Sequence, residues 1–257
     1  MTSTLIALSP SLHGNMRFFK RNAYHHAQNL SAIPILLSEL SRLIPHYVLG
    51  FIKFDDHFIA CALTGQGNKN LYLDQNGIWL SGYVPSFVRG FPFELGENPN
   101  GESVFCIHKS NLTDDQDAQA IFDDKGDLSA PAREYADFLT KCETSRQQTQ
   151  TAVDALIQYQ LLEPWALTIE DAEGEPFSIK GLYRVNEQAL GELKDHEFAS
   201  LRTNGALALA YGTLFSMAQH GKITELLKYH QHNKALNAPV DMDLDDFFSG
   251  DDDLFKF

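Results

Sequence analysis

The sequence predicts an α+β protein, with an antiparallel sheet built from hairpins in the N-terminal half, one further hairpin in the C-terminal half, and helices through the rest of that half. Three observations carry this. Apolar strand-like runs come in pairs around short polar turns in the front of the chain. Helical apolar spacing runs from Pro131 to about Leu162. The same spacing returns after Asn186 and continues to about Ala235, with Ala206, Leu207, Leu209, Ala210, Leu214, Phe215 and Met217 as a broadly apolar segment. At 257 residues and 44% hydrophobic side chains, the chain can bury a core without disulfide or metal staples.

The elements follow in order. Met16 to Lys20 reads as a short strand, and IPILLSELSRL (33–43) as a helix with Pro34 in its first turn and Ile35, Leu36, Leu40 and Leu43 on one stripe. HYVLGFIKF and HFIACALTG flank Asp55-Asp56 as a hairpin. Its strands are apolar on both faces, which places them in the middle of a sheet. Asn70 to Asp74 and Ile78 to Ser81 form a second hairpin around Asn76-Gly77, the dipeptide that type I′ turns favour. Ser103 to Lys109 adds a strand. Thr113 and Gln116 have capping-box spacing, which predicts a short helix to about Phe122.

Tyr135, Phe138, Leu139, Cys142, Val153, Leu156, Ile157 and Leu161 mark one long helix or two in line. The polar SRQQTQ interrupts the stripe, and Glu163-Pro164 ends it. Trp165 to Glu170 and Phe177 to Val185 form a third hairpin, after which Asn186 caps a helix. The implied organisation is a strand-rich half over 1–112, a helix-rich half over 113–240 packed on it as one domain, and an acidic aromatic tail over 241–257.

The formal charge of −14 is uneven: 7 Lys+Arg stand against 5 Asp+Glu up to Leu95, and 13 against 29 beyond it. An acidic body repels phosphate backbones, and Arg17, Lys20 and Arg21 are too few to reverse this, so nucleic acid is not an expected partner. Three scattered cysteines without a CxxC read as reduced thiols. The N-terminus has no basic region before its short apolar run, and no stretch is long enough for a transmembrane helix. A cytoplasmic location follows, with non-classical export as the alternative.

Asn70 to Leu95, NLYLDQNGIWLSGYVPSFVRGFPFEL, carries a pattern of Asn70, Asp74, Gly77, Trp79, Tyr83, Pro85, Arg89, Pro92 and Phe93. This pattern resembles the bacterial SapC family, and the likeness extends through the Pro34 segment, LLEPW, GLYRVNEQAL and the acidic ending. The family pattern has a second Arg and a Tyr just before the Pro-Phe, where this chain has Gly90 and Phe91. The family name implies a link to surface layers. Genes of that family are often found beside genes for outer-membrane receptors, halogenase-like flavoenzymes and cupin-like proteins, so the resemblance also implies a connection with small-molecule or peptide modification.

Among constellations, Trp79, Tyr83, Arg89, Phe91 and Phe93 are the candidate ligand or partner platform, joining aromatic faces to one guanidinium. The competing reading is a hairpin that packs these rings into the core. No metal or cofactor is expected: His25-His26 would face opposite ways in a strand, and His46 and His57 approach each other only across the first hairpin. Ser86 and Ser216 lack a nucleophile elbow, and Cys106 with His108 shares a strand face without a third orienting group. Gly65-Gln66-Gly67-Asn68 precedes a strand and is a hairpin connection instead of a phosphate cradle.

In the tail, Phe247, Phe248, Leu254, Phe255 and Phe257 among seven Asp are candidates for docking to a protein partner. The alternatives there are a last strand on the protein's own sheet and an export signal. The leading expectation is a non-enzymatic binding or accessory protein for a small-molecule or peptide ligand. The alternatives are an enzyme or enzyme subunit in small-molecule or peptide modification, and an exported surface-layer component.

Overall fold

The structure is a computed structural model and describes residues 4–55, 57–171 and 173–236. The tail residues Phe247, Phe248, Leu254, Phe255 and Phe257 lie outside the described residues. After β1 (Leu5–Ala7), the one-turn α1 (Pro10–His13) and β2 (Arg17–Phe18), the chain enters the main sheet at β3 (Ala32–Pro34). It leaves for α2 (Leu40–Leu43) and returns through β4 (Val48–Phe54) and β5 (His57–Leu63). The short β6 (Gly65–Gln66), β7 (Lys69–Asn70) and α3 (Ser86–Arg89) precede the hairpin β8 (Phe93–Glu97) and β9 (Ser103–His108). Two-residue strands β10 (Leu112–Thr113) and β11 (Gln119–Ala120) lead to the 29-residue α4 (Ala130–Gln158). A last hairpin, β12 (Leu162–Glu170) and β13 (Pro176–Val185), is followed by α5 (Glu187–Gly191), α6 (Asp195–Thr203), α7 (Ala206–Ser216) and α8 (His220–Leu236).

The fold is α+β with antiparallel sheets, as the sequence predicts. The main sheet runs β12-β13-β4-β5-β3, so the two-sided apolar strands β4 and β5 do lie inside it. The late hairpin joins the early one through Leu182↔Ile52 and Tyr183↔Phe51. Trp165, Leu167 and Ile169 alternate inward along β12. Helices α4 and α7 cover β5 and β4. Two smaller sheets, β1-β9-β8 and β10-β2-β11, surround a second apolar cluster of Phe18, Phe93, Ile107, Ile121, Phe122 and Ala132. Helix α4 serves both clusters, through Ala132 near its start and Ala152, Val153, Ala155 and Leu156 near its end.

Four expectations are corrected. The helix over 33–43 begins late: Ala32–Pro34 is an edge strand against Cys61–Leu63, Leu36 is extended, and only a 3₁₀ turn at Leu37–Glu39 and α2 remain helical. Pro34 fits an edge because it has no N–H for a second neighbour. The helix expected after Thr113 is absent. Thr113 Oγ1 accepts from Asp115 N (3.2 Å) and Asp115 Oδ1 from Asp117 N (2.9 Å), so these side chains close turns between β10 and β11 and leave no helix to cap.

The second hairpin shrinks to a single bridge, Leu73↔Trp79, around a turn whose Asp74 Oδ1 accepts from Asn76 N and Ile78 N and whose Gly77 sits at φ +73°. Finally, α4 is one helix and stops before Glu163-Pro164. Gln160 adopts φ +54°, Leu161 N bonds back to Leu156 O (2.9 Å), and Pro164 lies in the edge strand β12.

Leu156 is fully buried where α4 meets the sheet. Leu156→Ala is expected to lower unfolding free energy by about 3 kcal/mol, measured by urea denaturation at constant m-value.

Candidate functional site

The segment from Tyr83 to Phe93 is organised around one buried carboxylate, Glu39, at the end of the 3₁₀ turn before α2. Glu39 Oε1 accepts from Tyr83 Oη (2.6 Å) and Ser86 N (2.7 Å), and Oε2 from Ser86 Oγ (2.7 Å) and Leu36 N (3.3 Å). Arg89 Nη2 approaches Oε1 at 3.6 Å and donates to Tyr83 Oη at 2.9 Å. Each lone-pair direction is thereby answered, which is the condition for burying a carboxylate at tolerable cost. Burial, reinforced by the Glu39 carboxylate, pushes the Tyr83 phenol up to about 12.

Behind this node lies an aromatic stack. Trp79 Nε1 donates to Tyr47 Oη (2.7 Å), Tyr47 donates to the Tyr83 carbonyl, and Tyr72 stacks on Tyr47 with centroids 4.6 Å apart. Trp79 is 8% exposed and Phe93 0%, and they belong to different apolar clusters. Tyr83, Arg89 and Phe91 are half-buried. Arg89 lies over the Tyr83 and Phe138 rings, 5.2 and 5.0 Å from their centroids. A second guanidinium, Arg42 of α2, sits 5.7 Å from the Tyr83 centroid. A second cation therefore does stand near the motif, supplied from another element.

Phe91 faces the other way and stacks on His26, 3.9 Å and 7° apart. Arg21 Nη1 donates to the carbonyls of Arg89 (2.5 Å) and Phe91 (3.0 Å), holding the loop from behind. The remaining motif residues are placed by the backbone. Asn70 is buried and bonds to Ala27 O and Tyr72 N, Pro85 caps α3, and Pro92 O accepts from His108 N (3.0 Å).

Between this segment, β3–β5 and α4 lies a cleft of about 370 Å³. Ile35, Leu36, Ile59, Ala60, Leu139 and Val153 contribute apolar walls, while Ser86, Cys142, Thr149 and Gln150 contribute polar groups. Phe93 of the motif and Gly90, where the chain departs from the family pattern, also line it. At the edge Arg146 makes a two-pronged ion pair with Glu143 (2.7 and 2.6 Å), and Arg146 holds the Glu143 carboxyl below the usual range. Burial pushes the Cys142 thiol up, only partly opposed by the Ser86 hydroxyl. It is therefore a thiol at neutral pH and not a thiolate.

The other chemical candidates come apart in three dimensions. Cys106 Sγ turns to Val104 O (3.6 Å) and burial raises its pKa, while His108 Nε2 pairs with Glu94 at 2.8 Å. His46 precedes β4, whereas His57 pairs opposite Phe54 at the far end of the hairpin, so the expected approach of these two histidines does not occur. No group of three or more His, Cys, Asp or Glu among the described residues is placed to hold a metal ion. Glu39, Arg42, Phe138 and Cys142 were not legible as site residues. They come from two regions outside the motif, the segment at residues 37–43 and α4, and nothing in their local spacing marks them as site residues.

The geometry defines a class: an α+β protein whose sheet is backed by a long helix, with an apolar cleft walled by an aromatic and Arg-bearing loop. The chain belongs to the SapC family, whose family model matches residues 8–223. No curated protein and no solved structure matches the chain. No helix among the described residues is long and apolar enough to cross a membrane.

Glu39→Ala leaves the Ser86 and Arg89 donors without their acceptor and is expected to cost about 3 kcal/mol, whereas Tyr83→Phe, which keeps the ring, costs about 1 kcal/mol. Chemical denaturation of the two variants checks this ranking. His26 supplies a pH test. Burial pulls its imidazole from 6.5 to about 4 against the opposing hydrogen bond to Val88 O. Between those values the unfolded chain takes up a proton that the folded site refuses, so stability falls as pH drops from 6.5 to 4. His26→Gln should flatten this part of the Tm against pH curve, read by differential scanning fluorimetry.

Proposed function

We propose that this SapC-family chain is a non-enzymatic binding or accessory protein, and that the cleft beneath Ser86 to Phe93 holds the apolar part of a small-molecule or peptide ligand. The observation that carries this reading is the cleft itself. Its volume of about 370 Å³ falls in the range of small-molecule sites. Its lining combines a mostly apolar wall with a few convergent polar groups, the pattern such sites share. One wall is the same segment that carries the family pattern.

Two details support binding over turnover. The Cys142 thiol is held protonated, and the Ser86 hydroxyl is committed as a donor to Glu39. Phe87 stands 56% exposed beside the opening and offers a face to an incoming ring. In this reading Tyr83, Arg89 and Phe91, which do not line the cleft, place the loop, while Phe93 lines it and Trp79 supports it from behind.

A fluorescent apolar probe, anilinonaphthalene sulfonate, is expected to bind the native protein at one site with a fluorescence increase. Cys142→Trp fills the cleft and should weaken that binding at least about ten-fold, equivalent to ~1.4 kcal/mol, while Cys142→Ala leaves it within a factor of about three. Equal binding by both variants with unchanged Tm would overturn the assignment.

A further inference from the structure

A second concavity, separate from the cleft, runs between the Asp74–Gly77 turn, the loop at residues 28–29, the β6–β7 connection and the outer side of α8, and encloses about 1170 Å³. None of its lining residues lines the first cleft. We propose that this groove binds a neutral oligosaccharide.

The carboxamides of Gln28, Asn29, Asn68 and Asn76 line the groove, and none makes a side-chain hydrogen bond among the described residues. A carboxamide carries both donors and an acceptor, which matches the dual character of a sugar hydroxyl. Tyr229, 40% exposed, lines the groove from α8 and offers an aromatic face for the apolar side of a pyranose ring.

The carboxylates are already oriented. Asp74 Oδ1 accepts from Asn76 N (2.9 Å) and Ile78 N (2.7 Å), and Asp171 Oδ1 from Glu173 N (3.0 Å) and Glu175 N (2.8 Å). Gln231 donates to Glu173 across the groove from α8. Turn geometry and these bonds fix the carboxylates before a ligand arrives, which lowers their share of the ordering cost, and leave the four carboxamides free to pair with sugar hydroxyls.

Charge narrows the ligand class. Asp74, Asp171 and Glu173 against Lys69 and Lys234 leave the lining close to neutral, with one excess negative charge when the two imidazoles are set aside. That balance does not attract phosphate or sulfate groups. A peptide is the weaker fit. Peptide recognition uses an unpaired sheet edge or apolar pockets for side chains, whereas β6 and β7 are two residues each and already pair with one another.

The test is isothermal titration of the full chain with maltotetraose, cellotetraose, N-acetylchitotetraose and mannotetraose. At least one is expected to bind with a Kd below about 1 mM. Tyr229→Ala and the double variant Asn68→Ala/Asn76→Ala should each weaken it at least about ten-fold, with Tm unchanged because these side chains are exposed. Cys142→Trp, which fills the other cleft, should leave sugar binding unaltered. Binding of none of the four sugars, binding that survives the groove variants, or equal competition by an uncharged polar dodecapeptide would each overturn the proposal.

Discussion

A carboxylate removed from water must be met by donors, and the placement of Glu39 under that constraint organises the centre of this protein. Its two oxygens draw Leu36 N, Tyr83 Oη and the Ser86 backbone and hydroxyl to one point, with the Arg89 guanidinium alongside. Those groups come from segments almost fifty residues apart, so the node pins the α3 loop to the start of α2. An apolar residue at position 39 could fill the volume but would leave the buried Ser86 groups without an acceptor. The cleft wall, the half-buried position of Arg89 and the backing of Tyr83 by Tyr47 all follow from where that carboxylate sits.

Helix α4 is the second organising element, and its polar centre is an interface. Ser145 Oγ pairs with Ser38 Oγ (2.8 Å), and Thr149 Oγ1 accepts from Leu37 N (2.9 Å) while bonding back to Ser145 O (2.7 Å). The run that interrupts the apolar stripe thus supplies the partners that the 3₁₀ turn before α2 needs for its first donors. Glu39 and Thr149 satisfy two adjacent donors at the start of that turn, Leu36 N and Leu37 N. The same helix lines the cleft, so the cleft is built between an apolar sheet face, the carboxylate node and this hydroxyl-bearing surface.

Much of the scaffold was legible. The inner hairpin, the late hairpin, the Asn186 cap and the C-terminal helices are set by patterns spanning fewer than about twenty residues, and local spacing reads such patterns directly. Asn186 accepts from Ala189 N (2.9 Å), as its position implies. The readings that differ share one cause. Thr113 and Asp115 carry the same atoms whether they cap a helix or close a turn, and the pairing of Arg17–Phe18 with both Leu112–Thr113 and Gln119–Ala120 selects the turn. Likewise Ile33 opens the run read as a helix, yet the free edge at Ala62 claims it as a strand.

The same division runs through the candidate site. The Tyr83 to Phe93 segment stands out in the sequence by composition, and the family pattern is a property of that local string. Which of its rings are walls and which reach the surface was decided by tertiary structure, because burial depends on what arrives from elsewhere: Glu39 and Arg42 from one side, His26 and Arg21 from another, Phe138 and Cys142 from α4. By itself the sequence determined the α+β class, the inner strands and the segment around which the site forms, since these rest on periodicity and local turn chemistry. Only the folded chain decided the cleft and the groove, since both are spaces between elements distant in sequence, and no local pattern encodes a space.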